Sequence, residues 1–313
     1  MAFDITRRSR SAERFLRENR PDVIHAHFGV DAVRILRIAM RLKIPLVMTV
    51  YGYDVTRAPS GVRGRIYARR LRAAFEYASA VMGVSEFITA AAIGRGADPS
   101  KVRLVHLGLE LDENIPAASP ESAPPSVLFV GRFTDKKGID DLIAAMSMLP
   151  PDLRETPLVV VGDGKTRANL EQLAIEMGVN AQFLGSVDAS SVQRYMADAR
   201  MLAVPSRTAL DGDSEGLPTV IFEGSYAGLP IVSTIHSGIP EGVKDGKTGI
   251  LVAERDRQAL SNAISTLLRD PELAAHYGKA GRKFVEENFS IAQTAAALEE
   301  VYDAAYEQAR EQH

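Results

Sequence analysis

Short apolar runs of four to six residues, rich in Val and Leu, alternate along the chain with longer amphipathic stretches. DVIHAHF, PLVMTVYG, SAVMGVS and VRLVHLG come first, and SVLFVGR, PLVVVGDG, AQFLG, RMLAVPS and PIVST follow. Runs this short, with little polar alternation, suit strands covered on both faces. Helical stretches such as residues 138–148 and 164–177 lie between them. Alternating strand and helix predicts parallel sheets joined by right-handed crossovers. Residues 111–126, LDENIPAASPESAPPS, hold four prolines and no period, which predicts a semi-rigid linker. From Asp256 onward the chain is Ala/Glu-rich, helical in pattern and free of strands. The expected organisation is therefore two doubly wound α/β domains, residues 1–112 and 126–290, joined by a linker at 113–125. Residues 291–313 form a closing helix, and the two domains face each other across a cleft.

Charge sharpens this division. Through Pro116 there are 19 Lys/Arg and 12 Asp/Glu, a net of +7; the remainder has 18 and 28, a net of −10, and the whole 313-residue chain sums to −3. A break of this size suggests two units with different partners, and a near-neutral total gives no general pull towards nucleic acid. Cysteine is absent, which excludes disulfides, thiolate metal sites and thiol nucleophiles and suits a reducing compartment. No apolar run approaches the roughly 18 residues of a membrane helix, and the basic N-terminus has no secretory apolar core. These features fit a cytoplasmic protein.

Several familiar chemistries are missing. VVVGDGKTR puts Arg167 where a dinucleotide fingerprint needs its third glycine. The Gly-Lys-Thr strings at Gly164 and Gly246 have Val159 and Glu241 where a phosphate-binding P-loop needs glycine. Asp211 and Asp213 form an Asp-x-Asp pair, but a solvated acidic loop explains it better, because no further oxygen ligands are spaced around it. The histidines show no metal spacing and no Ser-His-Asp arrangement. No metal and no cofactor are expected.

Two segments carry positive signals. GRFTDKKG, Gly131 to Gly138, joins a buried strand to a helix and sets a guanidinium and two ammoniums at a parallel strand's carboxyl end, where ligands of open sheets bind. Arg132 and Lys137 suit a diphosphate, as a fork and a point charge, although solvated loop charges would look the same. The second segment is SEGLPTVIFEGSYAGLPIVST, in which Glu215 and Glu223 stand eight positions apart. Pro218 suits a first helical turn, so Glu215 and Gly216 lie at a helix start, where backbone amides favour phosphate oxygens. Glu223, further along a helix of apolar residues, needs a partner that ligand hydroxyls would supply. Its alternative is a solvent-facing position.

VGRFTDKKG, VGDGKTR, FLGSV, SEGLPTVIFEGSYAGLPIVST and SGIPEGVKDGKTGILV, in this order, resemble the donor-binding domain of retaining glycosyltransferases of family 4, which have the GT-B fold of paired Rossmann-like domains. DVIHAHFG, TVYGYDV and VMGVSEF resemble that family's acceptor-side domain more loosely. The resemblance implies roles position by position. Arg132 and Lys137 match the basic pair on the donor diphosphate, beside Gly131. Glu215 lies against the donor sugar, and these three form the implied catalytic set. Glu223 binds the ribose hydroxyls, Gly216 and Leu217 supply helix-start amides, and Phe183 and Leu184 border the base. Tyr51 stands where the family often has a histidine that reaches the donor sugar, and His27 and Asp54 belong to the acceptor side. Family members also have further strand-helix units, with a Gly-rich turn, before the position of Asp22, so the N-terminal domain is expected to be incomplete.

The implied activity is transfer of a hexose from a nucleotide sugar to a glycan or lipid-linked acceptor hydroxyl, with retention and without a metal, in cell-surface polysaccharide or glycolipid synthesis. The alternative is a nucleotide-sugar-binding protein or partner-dependent subunit with little transfer of its own. One further segment bears on partners. Residues 57–72 hold six arginines and no acid, and the helix expected after Pro59, Ser60 and Gly61 has an apolar stripe of Val62, Ile66, Leu71, Ala74, Phe75 and Ala78. Its basic face suits peripheral contact with an anionic membrane at its inner face, or a plain solvated surface.

Overall fold

The computed structural model describes residues 10–57, 60–112 and 114–311. They form two compact units, one within Met1–His106 plus Thr294–His313 and the other Leu107–Gln293. In the first unit the elements are α1 (Arg10–Asn19), β1 (Ile24–His27), α2 (Gly29–Leu42), β2 (Leu46–Val50), α3 (Tyr53–Thr56), α4 (Gly61–Tyr77), β3 (Ala80–Gly83), α5 (Glu86–Gly94) and β4 (Val102–Leu104). The strands make a parallel sheet in the order β1-β2-β3-β4. Every residue of β2 and β3 is buried, which is why these runs lack polar alternation.

Helix α4 corrects one expectation. Leu71, Ala74, Phe75 and Ala78 are buried, but Val62 and Ile66 are 63% and 42% exposed. At about 100° per residue, the five-residue step from Ile66 to Leu71 turns the stripe by about 140°. The first two turns therefore present their apolar side chains to solvent, together with exposed Arg63, Arg65 and Arg69. Pro59, expected just before this helix, lies outside the described residues.

The second unit contains β5 (Val127–Val130), α6 (Ile139–Ser147), β6 (Leu158–Val161), α7 (Arg167–Glu176), β7 (Ala181–Gly185), α8 (Ala189–Asp198), β8 (Met201–Val204), α9 (Thr219–Tyr226), β9 (Ile231–Thr234), α10 (Ile239–Gly242), β10 (Gly249–Val252), α11 (Arg257–Arg269) and α12 (Pro271–Asn288). Its parallel sheet runs β10-β9-β8-β5-β6-β7. The chain moves outward from β5 through β6 to β7, then returns to the other side of β5 with β8. The order reverses between β5 and β8, and the loops at the carboxyl ends of those two strands flank the reversal, the usual ligand position in such sheets. Strand β10 was not among the expected strands. It is a half-buried edge strand, and its apolar signal is correspondingly weaker.

The proline-rich segment does not hang between the units. Leu109, Leu111 and Ile115 pack on a cluster of Leu217, Phe222, Tyr226, Val285 and Phe289. Ala118 N–H donates to Ala227 O at 2.7 Å, and Arg200 Nε donates to Ala123 O at 3.2 Å. These contacts bind the segment to the second unit, so the division falls between His106 and Leu107. The closing helix α13 (Ile291–Glu311) belongs to the first unit from Thr294 onward. Its Ala297, Leu298, Val301, Tyr302 and Ala305 cover Val47, Ala80, Met82 and Val105.

Candidate donor site

Strand β5 delivers the chain into the loop Gly131–Gly138. Asp135–Lys137 make one 3-10 turn, and Gly138 closes it with φ 65°. A Cβ at Gly138 would lie 2.0 Å from the Pro205 carbonyl oxygen, so glycine lets this loop rest against the end of β8. Arg207, just beyond β8, fastens it from the other side. Its N–H donates to Lys136 O at 2.9 Å and its Nε to Asp135 O at 3.1 Å. Its guanidinium also donates to Asp140 at 2.9 Å and to the carboxylates of Asp135 and Asp141. Burial pushes the Arg207 pKa down, but the carboxylates outweigh this and hold it above the usual arginine value. Asp141 is shared with Arg257 Nε at 2.7 Å.

The loop from β8 to α9 brings Glu215 to this cradle. Glu215 is buried, with Lys137 Nζ 3.3 Å and Lys136 Nζ 3.6 Å from its Oε1. Although both ammoniums lie at ion-pair distance, Oε1 has no hydrogen-bond partner among the described residues. Lys136 also meets Asp213 at 3.1 Å and donates to Ser214 O at 3.4 Å. Gly216 and Leu217 follow, buried, and α9 starts at Thr219 with Pro218 as N-cap and no side-chain cap. Ile221 N–H donates to Pro218 O at 3.1 Å, and no side chain caps the amides before it, at a helix end that favours an anion. Glu223 lies one turn into α9, half-buried. Burial pushes its carboxyl above the ordinary range, and a hydrogen bond with the Thr219 side chain opposes this only in part.

Of the other expected residues in this unit, Arg132 is exposed at the start of the basic loop. Phe183 is half-buried with its ring edge-on to Phe133, 6.0 Å between centroids, and packed towards the core. Leu184 is 36% exposed beside it, so this strand end offers a ligand an aliphatic side chain and backbone rather than an aromatic face.

In the first unit His27, Tyr51 and Asp54 gather at the carboxyl ends of β1 and β2. His27 Nδ1 lies 2.5 Å from Tyr51 Oη, and the Phe28 ring lies tilted against Tyr51 with 4.5 Å between centroids. Burial, then Asp54, hold the Tyr51 phenol above its usual pKa. Asp54 is only 4% exposed and accepts from the N–H groups of Gly29, Gly52 and Tyr51 at 2.9, 2.9 and 3.2 Å. It shapes the loop that carries Tyr51. Burial raises its carboxyl, and the three amides oppose that without cancelling it. His25, behind His27, bonds Tyr302 Oη at 2.7 Å and Thr49 Oγ1 at 2.8 Å, and burial with the His27 charge lowers its pKa to about 4.

Both units match glycosyltransferase families. Residues 112–284 match "Glycosyl transferases group 1", and residues 3–108 match "Glycosyl transferase 4-like domain". The chain belongs to the group 1 glycosyl transferases. It is 36% identical over 180 residues to a GDP-mannose-dependent alpha-(1-6)-phosphatidylinositol monomannoside mannosyltransferase of Mycolicibacterium smegmatis, covering 56% of this chain and 47% of the relative. It is 28% identical over 281 residues to the putative colanic acid biosynthesis glycosyltransferase WcaL of Escherichia coli, covering 87% and 68%. The chain thus spans about half to two thirds of these relatives' lengths. Among solved structures, sucrose-phosphate synthase of Thermosynechococcus elongatus superposes with a TM-score of 0.81 at 24% identity, over 95% of this chain and 77% of the other. Anabaena Alr3699/HepE in complex with UDP-glucose gives 0.79 at 22%, over 93% and 81%. The fold is GT-B, with two parallel-sheet α/β domains.

The site also contains residues that sequence reasoning did not name. Lys136 sits nearer the acidic loop than its neighbour, and Asp213, expected as a solvated acid, is its partner. Asp211 meanwhile accepts from the Asp213 N–H at 3.1 Å. Among the described residues no group of three or more His, Asp or Glu is placed to hold a metal. His236 and Glu254 meet from the ends of β9 and β10, Arg207 holds the basic loop from the end of β8, and no local motif marks them.

Proposed function

We propose that this chain transfers a hexose from a nucleotide sugar to an acceptor hydroxyl, with retention of configuration, in polysaccharide or glycolipid synthesis. The observation that carries the proposal is the buried Glu215 carboxylate, faced by two ammoniums and with its Oε1 lacking a hydrogen-bond partner among the described residues, beside a helix start without a side-chain cap at the sheet's reversal. In this reading Arg132, Lys137 and the start of α9 hold the diphosphate and stabilise its charge as the anomeric bond breaks. Glu215 meets the sugar, Glu223 takes the ribose hydroxyls, and Gly131, Phe183 and Leu184 border the nucleotide. No metal or cofactor enters the step. Tyr51, His27 and the loop shaped by Asp54 serve the acceptor side.

The mannosyltransferase relative is named for GDP-mannose, and the HepE structure contains UDP-glucose. These two donors are the first to test. The assay is incubation of each donor with glycan and lipid-linked acceptors, with NMR of the product's anomeric signal. Product that keeps the donor's configuration supports the proposal, and inverted product overturns it. A second reading, a nucleotide-sugar-binding subunit, is favoured by one observation: the phenol of Tyr51, which stands where the resemblance implies a histidine, is engaged by His27. Donor binding without transfer would support it.

The first turns of α4, with Val62 and Ile66 exposed beside Arg63, Arg65 and Arg69, support contact with an anionic membrane that would bring a lipid-linked acceptor within reach. Among the described residues no helix is long and apolar enough to cross a membrane.

A further inference from the structure

The residues just after β9 grip the Glu215 loop from behind. Glu215 N–H donates to His236 Nε2 at 3.2 Å. Ser237 Oγ donates to Glu215 O and, at 3.2 Å, to Gly216 O. Gly238 N–H donates to Gly216 O at 3.0 Å. Ser237 takes a left-handed φ of 49° to make this grip. Of these bonds, only the one to His236 depends on a titratable group.

Its partners fix the tautomer. A ring nitrogen that faces a backbone N–H must offer a lone pair, so Nε2 is unprotonated. The ring hydrogen therefore sits on Nδ1, which lies 2.6 Å from Glu254 Oε1. Glu254 is held in turn by Thr208, whose N–H donates to Oε2 at 2.9 Å and whose hydroxyl lies 3.3 Å from Oε1. Burial pushes the Glu254 carboxyl up, but the Thr208 amide and His236 outweigh it and keep it below the usual range. An ionised carboxylate, a neutral imidazole and a backbone amide thus form a chain from the end of β10 to the loop before α9. His236 itself is 2% exposed.

We propose that His236 is a positioning residue for the donor site: its neutral Nδ1–H form ties Glu254 to the Glu215 amide, and its protonation releases the Glu215 loop. A proton on Nε2 would set an N–H against the Glu215 N–H, turning an attraction into a repulsion between two buried residues. The charged group bonded to the ring is Glu254; Glu215 meets the ring through its backbone N–H, with its carboxylate beside Lys136 and Lys137, and Arg255 donates to Thr208 O at 2.8 Å. The inference rests on the proposed donor site, because only there does the position of Glu215 affect a ligand.

The test uses the full chain, with UDP and GDP as calorimetric probes from about pH 5 to 8, the range in which histidine changes charge. The wild type should lose about tenfold in affinity across the acid limb. His236→Gln, which keeps an acceptor near the Nε2 position but cannot protonate, should flatten that limb. His236→Phe should weaken binding across the whole range. An identical acid limb in wild type and His236→Gln overturns the proposal. Nitrogen-edited NMR of the unliganded protein reads the same device without nucleotide. The His236 Nε2 resonance should be that of an unprotonated nitrogen near pH 8, and the Glu215 amide signal should titrate together with it. An Nε2–H tautomer near pH 8, or a Glu215 amide that does not follow the ring, overturns it even where the Phe variant fails to fold. A wild type that binds neither nucleotide at any pH overturns the donor site instead, and the NMR outcome then decides the histidine relay on its own.

Discussion

Replacing Arg207 with Met, which keeps much of the aliphatic stem and removes the charge, tests how the basic loop is built. The guanidinium is 6% exposed and joins Asp135, Asp140 and Asp141. Breaking a buried ion pair by removing one partner costs about 3–5 kcal/mol, because the other charge is left behind. Here the lower end applies. Asp135 and Asp140 are 42% and 35% exposed and can be rehydrated, and Asp141 keeps Arg257 at 2.7 Å. About 3 kcal/mol, at roughly 2–4 °C per kcal/mol for a unit of this size, is a fall in Tm of about 6–12 °C. The loss should extend to ligand binding, since Arg207 Nε no longer holds the Asp135 carbonyl in the loop that carries Lys136 and Lys137. Arg207→Lys, which keeps the charge but cannot reach three carboxylates at once, should fall between. Differential scanning calorimetry of the full chain with and without nucleoside diphosphate reads both effects. A Tm within about 2 °C of wild type for Arg207→Met would refute the reasoning that this guanidinium compensates buried charge.

Three further predictions concern the site and the surface. Glu223→Gln should weaken nucleotide binding by calorimetry, whereas Glu215→Gln should slow transfer or blur sugar discrimination with nucleotide affinity nearly kept; exchanged phenotypes would reverse the orientation given to α9. Transfer and donor binding should survive chelation by EDTA, and activity that vanished with chelator and returned with manganese would contradict a metal-free step. Liposome co-sedimentation should rise with anionic lipid, fall with salt as screening grows, and drop in Val62→Asp/Ile66→Asp; equal partitioning onto neutral and anionic vesicles would leave α4 as a plain solvated face.

Much of the fold could be read from the chain because its strands are covered on both sides. LVMTV in β2 and AVMG in β3 are continuous apolar runs since every position is buried. GILV in β10 lies at a sheet edge with two half-buried residues, and its signal merges with the glycine-rich turn before it. The proline-rich segment reads locally as a linker, because its anchoring contacts, such as Ala118 to Ala227, join residues far apart in sequence. The start of α4 was misread for a related reason: a five-residue step continues an apolar list but not a helical face.

The site was legible in a similarly uneven way. Lys137 and Glu215 were marked by charge at a strand end and at a helix start, and the fold brings them within 3.3 Å. Lys136 is inseparable from Lys137 in a sequence, and which ammonium meets which carboxylate is decided by the 3-10 turn. Arg207 sits among ordinary loop residues, and its partners Asp135, Asp140 and Asp141 lie more than sixty positions earlier. His236 and Glu254 are joined only through the adjacent strands β9 and β10.

The central claim is that the loops after β5 and β8 bind the diphosphate of a sugar donor. Calorimetric titration of UDP and GDP into wild type, Arg132→Ala and Lys137→Ala addresses it most directly. A hydrogen bond to a charged group is worth about 1.5–3 kcal/mol, so each variant should lose roughly 10- to 150-fold in affinity for the nucleotide that the wild type binds. Full wild-type affinity in both variants would contradict the claim.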